Sequence, residues 1–510
     1  MGFTSLKNPL GTGGGAVEVD VVAPSTTFGE VLTGQLVPLA QGDFTHNINS
    51  QIFTTSSFAG ASITTVSGNV ELSSGTSTSG SATVQLRRRL EYRPGQGSLM
   101  RATAVFDTPS AGNAQFVGAG TAECGYFIGY FGGFFGILHS ETGAREVRKY
   151  TVSVGEGTTN VTVTLDGSSV IVPVSGNSST TQTAYQLSLG DYTQVGKGGW
   201  LADAHGSDVY FIAARSNSTS TGSYSVTSAG SIAGSFTREQ VGEAQTNTFI
   251  TSGSFNIDKL DGSGPSGMTL DPQKGNVYQI GYQYLGYGNA SFGVENPDSG
   301  KFISCHMIKN ANSRTTPVLK DPNLSVLATS ANIGGSENKV LKCASMAAFT
   351  EGEVIKLDPK FAKSFTFSSF AETSYSPLAI LKADRFFDGR SSFGEFDILR
   401  INAGNESTSK ILTVGFFLNA EIEGDVNFEY INATESIVSY AALDPDNDII
   451  VNVANLTPFH EIVVGPATGL SENLEDLRIV FGPGSNFVIA LKVNSGNVTG
   501  QVGFDWFEQQ

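Results

Sequence analysis

The fold is decided by one alternating run, Val277-Tyr-Gln-Ile-Gly-Tyr-Gln-Tyr284. Its large apolar side chains occupy every second position, which predicts a β-strand with one buried face. A second alternating run at Ala290–Glu295 leads through the turn sequence Asn296-Pro-Asp-Ser-Gly300 into a third run at Lys301–Ile308. Asn, Pro, Asp and Gly favour tight turns. The segment therefore predicts a three-stranded antiparallel meander.

The rest of the chain repeats this pattern. The 510 residues include 61 Gly and 34 Phe, and 39% of them are hydrophobic. Such a chain has enough apolar residues for a core and is too aromatic to be disordered. Short runs broken by turn residues roughly every eight to twelve positions are typical of sandwiches and barrels. We therefore expect an all-β protein with several jelly-roll-like β-sandwich domains in series.

Shifts in composition divide the chain into four predicted parts. Residues 1–30 contain a Gly-rich stretch and little alternation, which indicates an N-terminal arm or linker. Residues 151–250 lose charge and are dominated by Ser, Thr, Gly and Val, whereas the aromatic style resumes after them. This predicts a small β-domain inserted into one sandwich, whose halves are residues 31–150 and 251–350. A C-terminal β-sandwich is expected over residues 355–510.

Two local predictions concern a helix and an aromatic stretch. The only helix that the sequence predicts is short, Ser471–Leu477, with Ser471 as its N-cap. Aromatic rings are concentrated at Tyr126, Phe127, Tyr130, Phe131, Phe134 and Phe135. This density is typical of packing between two sheets, and stacking on sugar rings is the alternative. The glycines among these rings are expected where backbones or large rings need room.

Charge and cysteine content exclude several classes of protein. The chain has a net charge of −17 and a pI of 4.7, and such a negative protein repels phosphate backbones, so we expect no nucleic-acid partner.

No apolar run approaches the ~18 residues of a membrane span. The start, Met1–Lys7, lacks a signal-peptide pattern, which predicts synthesis in the cytoplasm. The widely spaced Cys124, Cys305 and Cys343 predict buried free thiols.

The sequence predicts no catalytic residues and no enzyme. Its five histidines form no metal-binding array. Cys305 and His306 are adjacent in a strand-like run, so they point to opposite faces, which favours a core thiol and a surface histidine. A depolymerase would need two carboxylates about 5–10 Å apart. Glu421, Glu423, Asp425 and Glu429 are close in sequence, but a solvent-facing strand predicts the same pattern.

The best metal candidate is Asp444-Pro-Asp-Asn-Asp448. Asp444, Asp446 and Asp448 place carboxylates on one rim of a loop, as Ca²⁺ requires. An EF-hand loop would have Gly where Ile449 stands, so a solvated turn is the alternative to a weak Ca²⁺ site. No other cofactor is expected.

Three further segments are candidate binding sites. Arg87 and Arg89 belong to the one basic cluster and share a strand face, which favours an interface with an acidic subunit. Pairing with local Asp and Glu is the alternative. Trp200, which follows Gly198 and Gly199, is expected to be exposed and is the candidate for glycan binding. The segment Asp203–Asp208, which follows it, is a weaker candidate for a functional loop.

Two stretches resemble a known family. The first is Arg88-Arg-Leu-Glu-Tyr-Arg-Pro-Gly-Gln-Gly-Ser-Leu-Met-Arg-Ala-Thr-Ala-Val-Phe106, followed by the aromatic stretch to Leu138. The second begins at Asp261-Gly-Ser-Gly-Pro-Ser-Gly-Met-Thr-Leu-Asp-Pro272 and runs to Val294-Glu-Asn-Pro297. Together they resemble virion structural proteins, of the tail or fibre type, from tailed phages and related large DNA viruses. The resemblance implies one concanavalin/laminin-G-like sandwich and brings no catalytic residues.

These observations predict a non-enzymatic virion structural protein of a tail, fibre or surface appendage that contributes to host attachment. One alternative is a capsid-surface or minor capsid jelly-roll protein, and another is a virion protein that binds or degrades polysaccharide. The expected partners are further copies of the chain, as a trimer, other virion proteins and host surface glycans. The expected location is the virion, after synthesis in the host cytoplasm.

Overall fold

The computed structural model describes residues 36–509 except 51, 94, 122, 142, 176–178, 197, 218, 320, 353–357, 421–425, 444–456 and 475–478. Almost all described residues belong to strands, turns or loops, as predicted. The chain divides into two compact units. Unit 1 contains residues 1–142 and 246–355, and unit 2 contains residues 143–245 and 356–510.

Unit 1 contains a six-stranded and a seven-stranded antiparallel sheet. In spatial order, the six-stranded sheet consists of β1 (Leu36–Asp43), β23 (Ser345–Glu351), β6 (Ser98–Ala104), β18 (Asn276–Tyr282), β19 (Ala290–Glu295) and β20 (Phe302–Ile308). The seven-stranded sheet consists of β17 (Thr246–Thr251), β9 (Phe134–Glu141), β8 (Gly125–Phe131), β7 (Asn113–Gly120), β21 (Ser325–Asn332), β5 (Ser81–Leu86) and β2 (Phe53–Phe58). A small sheet of β22 (Val340–Cys343), β4 (Asn69–Ser73) and β3 (Ser62–Val66) completes the unit. The consecutive strands β18, β19 and β20 confirm the predicted meander.

The core of unit 1 follows from the alternation of apolar residues in these strands. Tyr278 and Ile280 of β18 share one buried cluster with Val117 of β7 and Ile128 of β8. All four side chains are fully buried, at 0% exposure. Burying one aliphatic side chain completely stabilises the fold by about 1.5–3 kcal/mol. The inward residues of both sheets therefore form one continuous hydrophobic core.

The aromatic stretch contributes rings to clusters on both faces of the seven-stranded sheet. Tyr126 and Tyr130 belong to the main core, and Phe135 packs against it, as packing between sheets predicts. Phe127 instead belongs to a separate cluster that Phe131 packs against, because successive residues of a strand alternate between faces. Packing between the two sheets thus accounts for only part of the stretch.

The inserted part of unit 2 is built from two small sheets and a helix. One sheet has the order β13 (Trp200–His205), β14 (Asp208–Ser216), β10 (Arg145–Val154) and β16 (Ala233–Gln240). The other has the order β12 (Ser168–Val174), β11 (Thr159–Leu165) and β15 (Ser225–Ser228), and the helix is α1 (Thr180–Ser188).

The remainder of unit 2 is a sandwich. Its five-stranded sheet joins β24 (Lys360–Phe370), β36 (Val498–Gln509), β28 (Glu395–Asn405) and β33 (Thr468–Asn473), with β34 (Val480–Phe481) also on β28. Its six-stranded sheet has the order β30 (Glu429–Tyr430), β31 (Val438–Ala442), β25 (Ser376–Ala383), β35 (Asn486–Val493), β29 (Leu412–Leu418) and β32 (His460–Val464). A short ribbon pairs β26 (Phe386–Phe387) with β27 (Arg390–Ser391), and a 3-10 helix in unit 1 spans Ser252–Ser254.

The inserted part packs on the outer face of this six-stranded sheet. Tyr185 of α1 and Ala204 of β13 share a buried cluster with Ile380 of β25 and Phe417 of β29. The sequence predicts the insertion as a separate small domain, whereas the structure includes it in the same compact unit as the C-terminal sandwich. The predicted arm at residues 1–30 lies outside the described residues.

The helix prediction was wrong. The segment from Ser471 forms the end of strand β33, which pairs with β28, and residues 475–478 are not described. The observed helix is α1, whose N-cap Ser179 accepts a hydrogen bond from the backbone N–H of Gln182 at 3.0 Å. Ser179 and Gln182 have the spacing of a capping box. No helix among the described residues is long and apolar enough to cross a membrane.

Candidate functional site

The register of four strands in unit 1 aligns polar side chains on the outer face of the six-stranded sheet. Gln41 of β1 pairs with Ala347 of β23, which pairs with Arg101 of β6. Arg101 in turn pairs with Gln279 of β18. A parallel row two residues further along begins with Asp43, which pairs with Ser345. Because side chains alternate, both rows lie on one face, opposite the core residues.

Small residues in these rows create a depression, which we name the Asp43 groove. Its volume is about 680 Å³, which lies within the range of ligand sites. The groove is lined by Gln41, Gly42, Asp43, His46, Asn47, Asn49, Ile52, Arg101, Ala102, Thr103, Val277, Ser345, Met346 and Ala347. The centre of its floor carries Ser345 and Ala347, whereas longer side chains line its edges.

One wall of the Asp43 groove is the segment that follows β1. Buried Phe44 anchors this segment, because its N–H donates to the carbonyl oxygen of Ala344 at 3.1 Å. The backbone N–H of Thr45 donates to Asp43 Oδ1 at 2.9 Å, and this bond lowers the pKa of Asp43, which is therefore ionised at neutral pH. His46 and Asn47 follow with exposed side chains.

Arg101 is held in place on the floor. Its Nε donates to Gln279 Oε1 at 3.0 Å. The guanidinium lies 4.7 Å from the ring centroid of Phe302 and 5.6 Å from that of Phe349, within the range of cation–π attraction. Burial lowers the pKa of Arg101, yet an arginine stays charged. The groove therefore offers a fixed donor.

The chemistry of the Asp43 groove is that of hydrogen-bonded recognition. Asp43 accepts hydrogen bonds, Arg101 donates them, and the amides of Gln41 and Asn47 do both. Among the described lining residues, Asp43 is the one carboxylate. Hydrolysis of a glycoside ordinarily uses a pair of carboxylates, which the described lining does not contain.

The sequence did not single out the Asp43 groove. Two signals could have indicated it: the cluster His46-Asn-Ile-Asn49, and the polar alternation of Arg101 and Thr103 within a strand. Neither shows that β1, β23, β6 and β18 are neighbours, which depends on long-range pairing.

A second polar groove lies on the outer face of the five-stranded sheet of unit 2. Its volume is about 590 Å³. One row across the strands contains Ser364, Gly503, Asn402 and Ser471. It resembles the Asp43 groove in its polar lining and its small central residues.

The structure places the predicted basic cluster outside a strand. Strand β5 ends at Leu86, so Arg87 and Arg89 do not share a strand face as predicted. Arg87 Nε donates to the carbonyl oxygen of Ser50, and Arg89 Nη1 lies 3.1 Å from Asp321 Oδ2. The contact of Arg89 with Asp321 matches the alternative of pairing with Asp and Glu, whereas Arg87 bonds a backbone carbonyl. An intersubunit role for the two arginines stays a prediction.

The expectation that Trp200 is exposed was wrong. Trp200 is 4% exposed and belongs to the core of the inserted part. Its ring meets that of Tyr224 edge-on at 6.0 Å. The glycines beside Trp200 suggested a loop, but the residue begins strand β13 and its ring packs inward, away from any sugar at the surface.

The predicted metal ligands and most of the acidic cluster at residues 421–429 lie outside the described residues. The Ca²⁺ candidates Asp444, Asp446 and Asp448 are not described. Glu421, Glu423 and Asp425 are not described either, and Glu429 accepts a hydrogen bond from Tyr440 at 2.7 Å. In the described part of the chain, no group of three or more His, Cys, Asp or Glu residues could hold a metal ion. His306, predicted at the surface, is 6% exposed.

The segment from Asp203 to Asp208 forms a hairpin whose polar side chains are partly buried. Asp203 and His205 belong to β13 and are 5% and 9% exposed. Lys382 of β25 contacts Asp203 Oδ1, and its Nζ also lies 3.6 Å from Asp384 Oδ1. Asp384 is fully buried, at 0% exposure. We name Asp203, His205, Lys382 and Asp384 the buried charge cluster.

The buried charge cluster is held by further contacts. The backbone N–H of Arg385 donates to Asp203 Oδ2 at 2.9 Å, and Ser439 Oγ donates to Asp384 Oδ1 at 2.7 Å. His205 Nε2 lies 3.0 Å from Asp384 Oδ1. Burial alone would raise the pKa of Asp203, but the charges of Lys382 and His205, together with the hydrogen bonds from Lys382 and Arg385, outweigh burial, so the pKa is lowered. Asp203 and Lys382 therefore rest as an ion pair.

A smaller cavity lies at one edge of unit 1, with a volume of about 370 Å³ and a lining that includes His139, Glu141, Lys309 and Arg314. His139 Nδ1 lies 3.0 Å from Glu141 Oε1, and Arg314 Nη1 donates to Glu141 Oε2 at 2.6 Å. The ring of His139 stacks on Tyr126 at 4.7 Å. Burial lowers the pKa of His139 to about 4, so the imidazole is neutral at pH 7.

No protein-family model and no curated protein sequence matches the chain. Among solved structures, the exoplasmic/lumenal domain of VIP36 in its Ca²⁺- and Man3GlcNAc-bound form aligns with a TM-score of 0.24 and 10% identity, over 63% of this chain and 92% of its own. The metal-free carbohydrate recognition domain of Emp46p gives a TM-score of 0.24 and 9% identity over 63% and 98%. The lectin from Bauhinia forficata in complex with GalNAc gives 0.22 and 9% over 61% and 98%. Similarity at these TM-scores does not establish a shared fold.

Proposed function

We propose that the chain is a non-enzymatic carbohydrate-binding protein and that the Asp43 groove binds a neutral oligosaccharide. The observation that carries this proposal is the alignment of polar side chains across four strands beside a depression of about 680 Å³. Sugar hydroxyls donate and accept hydrogen bonds together, so they require donors and acceptors side by side. Asp43, Arg101 and the neighbouring amides supply both.

The charges of the groove favour a neutral ligand. The Asp43 carboxylate and the Arg101 guanidinium carry opposite charges, and His46 is the one other acidic or basic residue among the described lining residues. An anionic ligand would meet Asp43 and the negative field of a chain with net charge −17. The held position of Arg101 also reduces the side-chain entropy lost on binding.

The test is calorimetric titration of the purified full chain with a panel of neutral oligosaccharides, followed by variants of the groove. Asp43→Ala and Arg101→Gln are expected to weaken binding at least about tenfold, or ~1.4 kcal/mol. Lys274→Ala is the control, because Lys274 is 79% exposed and lies outside the groove lining. Equal affinity of all three variants, or no binding by the unmodified chain, contradicts the proposal.

The absence of catalysis is a separate part of the proposal. We expect an oligosaccharide that binds to keep its chain length during long incubation with the protein. Shortened products would require a carboxylate pair elsewhere in the chain.

The role in a virion, the trimeric state and the weak Ca²⁺ site stay predictions from the sequence. The mass of the protein in solution tests the predicted trimer.

A further inference from the structure

Lys382 and Asp203 meet in a setting that favours reaction between their side chains. Lys382 Nζ contacts Asp203 Oδ1 and donates to the carbonyl oxygen of Ala204 at 3.2 Å. The ring of Phe428 lies 4.2 Å from the same nitrogen. Lys382 and Asp203 are 8% and 5% exposed. An amine and a carboxyl group are thus held together with little access to water.

We propose that Lys382 and Asp203 form an intramolecular isopeptide bond, with Asp384 relaying the proton. Asp384 suits this role because its Oδ1 lies 3.6 Å from Lys382 Nζ, and its carboxylate is fully buried. The bond would join strand β13 to strand β25, which are 179 residues apart at these positions.

The reaction is a condensation that balances without any further reactant. Within the contact, the Lys382 ammonium gives one proton to the Asp203 carboxylate, which leaves an amine and a carboxylic acid. The nitrogen lone pair attacks Cγ of Asp203, and a C–N bond forms. A second proton passes from the nitrogen through Asp384 to the hydroxyl group on Cγ. The C–O bond then breaks and water leaves, so an ammonium and a carboxylate become an amide and water.

Two physical effects favour the amide in this place. Groups held in contact react with effective molarities of about 10⁵–10⁸ M, so the usual entropic cost of joining them is already met. A buried ion pair also carries a desolvation penalty, which disappears when both charges are lost. Burial limits the return of water that hydrolysis would need.

The stacked rings beside the cluster hold its geometry. His205 lies parallel to Tyr430, with centroids 4.0 Å apart and an interplanar angle of 8°. Since His205 Nε2 also lies 3.0 Å from Asp384 Oδ1, the imidazole positions the proton-relaying carboxylate. His205 is therefore a positioning residue in this proposal.

Intact-mass measurement of the purified full chain tests the bond. We expect a mass lower than that of the sequence by one water. After trypsin digestion, Gly198–Arg215 should appear covalently joined to Ser364–Arg385, with the peptide bond after Lys382 uncleaved. A full sequence mass, together with cleavage after Lys382, overturns the proposal.

Variants identify the groups that react. Lys382→Arg keeps the charge but should restore the full sequence mass, and Asp384→Asn should lower the cross-linked fraction at least about tenfold by removing the proton relay. Lys363→Arg is the matched control, because Lys363 lies in the same unit over the ring of Tyr440. Retention of the lower mass in Lys382→Arg contradicts the assignment. Should a variant fail to fold, the mass of the unmodified chain still decides the proposal.

Discussion

The ring of Phe127 lies over Gly120, so closely that a Cβ atom on Gly120 would come within 2.4 Å of Phe127 Cζ. The ring thus occupies space that a side chain at Gly120 would need. Phe127 is buried in the cluster on the outer face of the seven-stranded sheet.

We expect Gly120→Ala to destabilise the protein by about 1–3 kcal/mol, because the ring or the strand must move to admit the methyl group. Urea unfolding measures the change. Gly253→Ala is the control, since a Cβ there would meet no atom within 4 Å. Equal stability of the two variants would mean that the ring adjusts freely.

Acidification should destabilise the protein through His139. Burial lowers the pKa of His139 from 6.5 to about 4. Above pH 6.5 both the folded and the unfolded forms are neutral at this residue. Between pH 6.5 and pH 4 the unfolded form binds a proton that the folded form does not, so the free energy of unfolding falls as the pH is lowered, by at most about 3 kcal/mol.

His139→Phe keeps a ring beside Tyr126 but cannot titrate. Its free energy of unfolding should therefore fall less than that of the unmodified chain between pH 7 and pH 4. Denaturant titrations at several pH values compare the two proteins. If the free energies of unfolding of the two proteins fell equally with pH, His139 would have the same pKa in the folded and the unfolded form.

Glu508→Gln should destabilise the C-terminal sandwich by about 1–3 kcal/mol. Glu508 is fully buried, and its carboxylate accepts hydrogen bonds from the Ser436 hydroxyl, the Ile437 N–H and the Trp506 indole. An amide would turn one acceptor into a donor that faces another donor. Thermal unfolding measures the loss, with exposed Glu406→Gln as the control. Matching midpoints would contradict the prediction.

All three thiols should be unreactive in the folded protein. Cys124, Cys305 and Cys343 are buried, and burial raises their pKa values to about 11, 12 and 12. The thiolate is the reactive form. A thiol reagent at pH 8 should therefore label none of the three until denaturant is added, and rapid labelling under native conditions would indicate local opening.

Local patterns predicted much of the fold. The alternation from Val277 to Ile308 gave the meander β18–β20, because strand periodicity and turn residues are properties of neighbouring positions. The segment after Ser471 favoured a helix by its cap, but Ser471–Asn473 belong to β33, which pairs with β28. Tertiary contacts overrode a local preference there.

The sites depended on contacts that neighbouring residues do not reveal. Asp203 was noted as part of a polar segment, but its partner Lys382 is 179 residues away. The Asp43 groove likewise requires β1 to pair with β23 near residue 345. The glycines before Trp200 suggested an exposed loop, whereas the Trp200 ring packs in the core. Sequence patterns indicated which residue types mattered without showing which of them meet.

The division of the chain between its two units constrains the order in which they can be completed. During synthesis, residues 1–142 emerge long before residues 246–355, which supply their partners in unit 1. The described strands of the insertion at 143–245 pair with one another, and the insertion lacks only the sheet face beyond residue 355 on which Tyr185 and Ala204 pack. The first half of unit 1, by contrast, carries unpaired strand edges during synthesis, such as those of β6, whose partners β18 and β23 come later, and such edges are prone to pair wrongly. A cell producing this protein would therefore benefit from a chaperone that shields those edges until residues 246–355 have emerged.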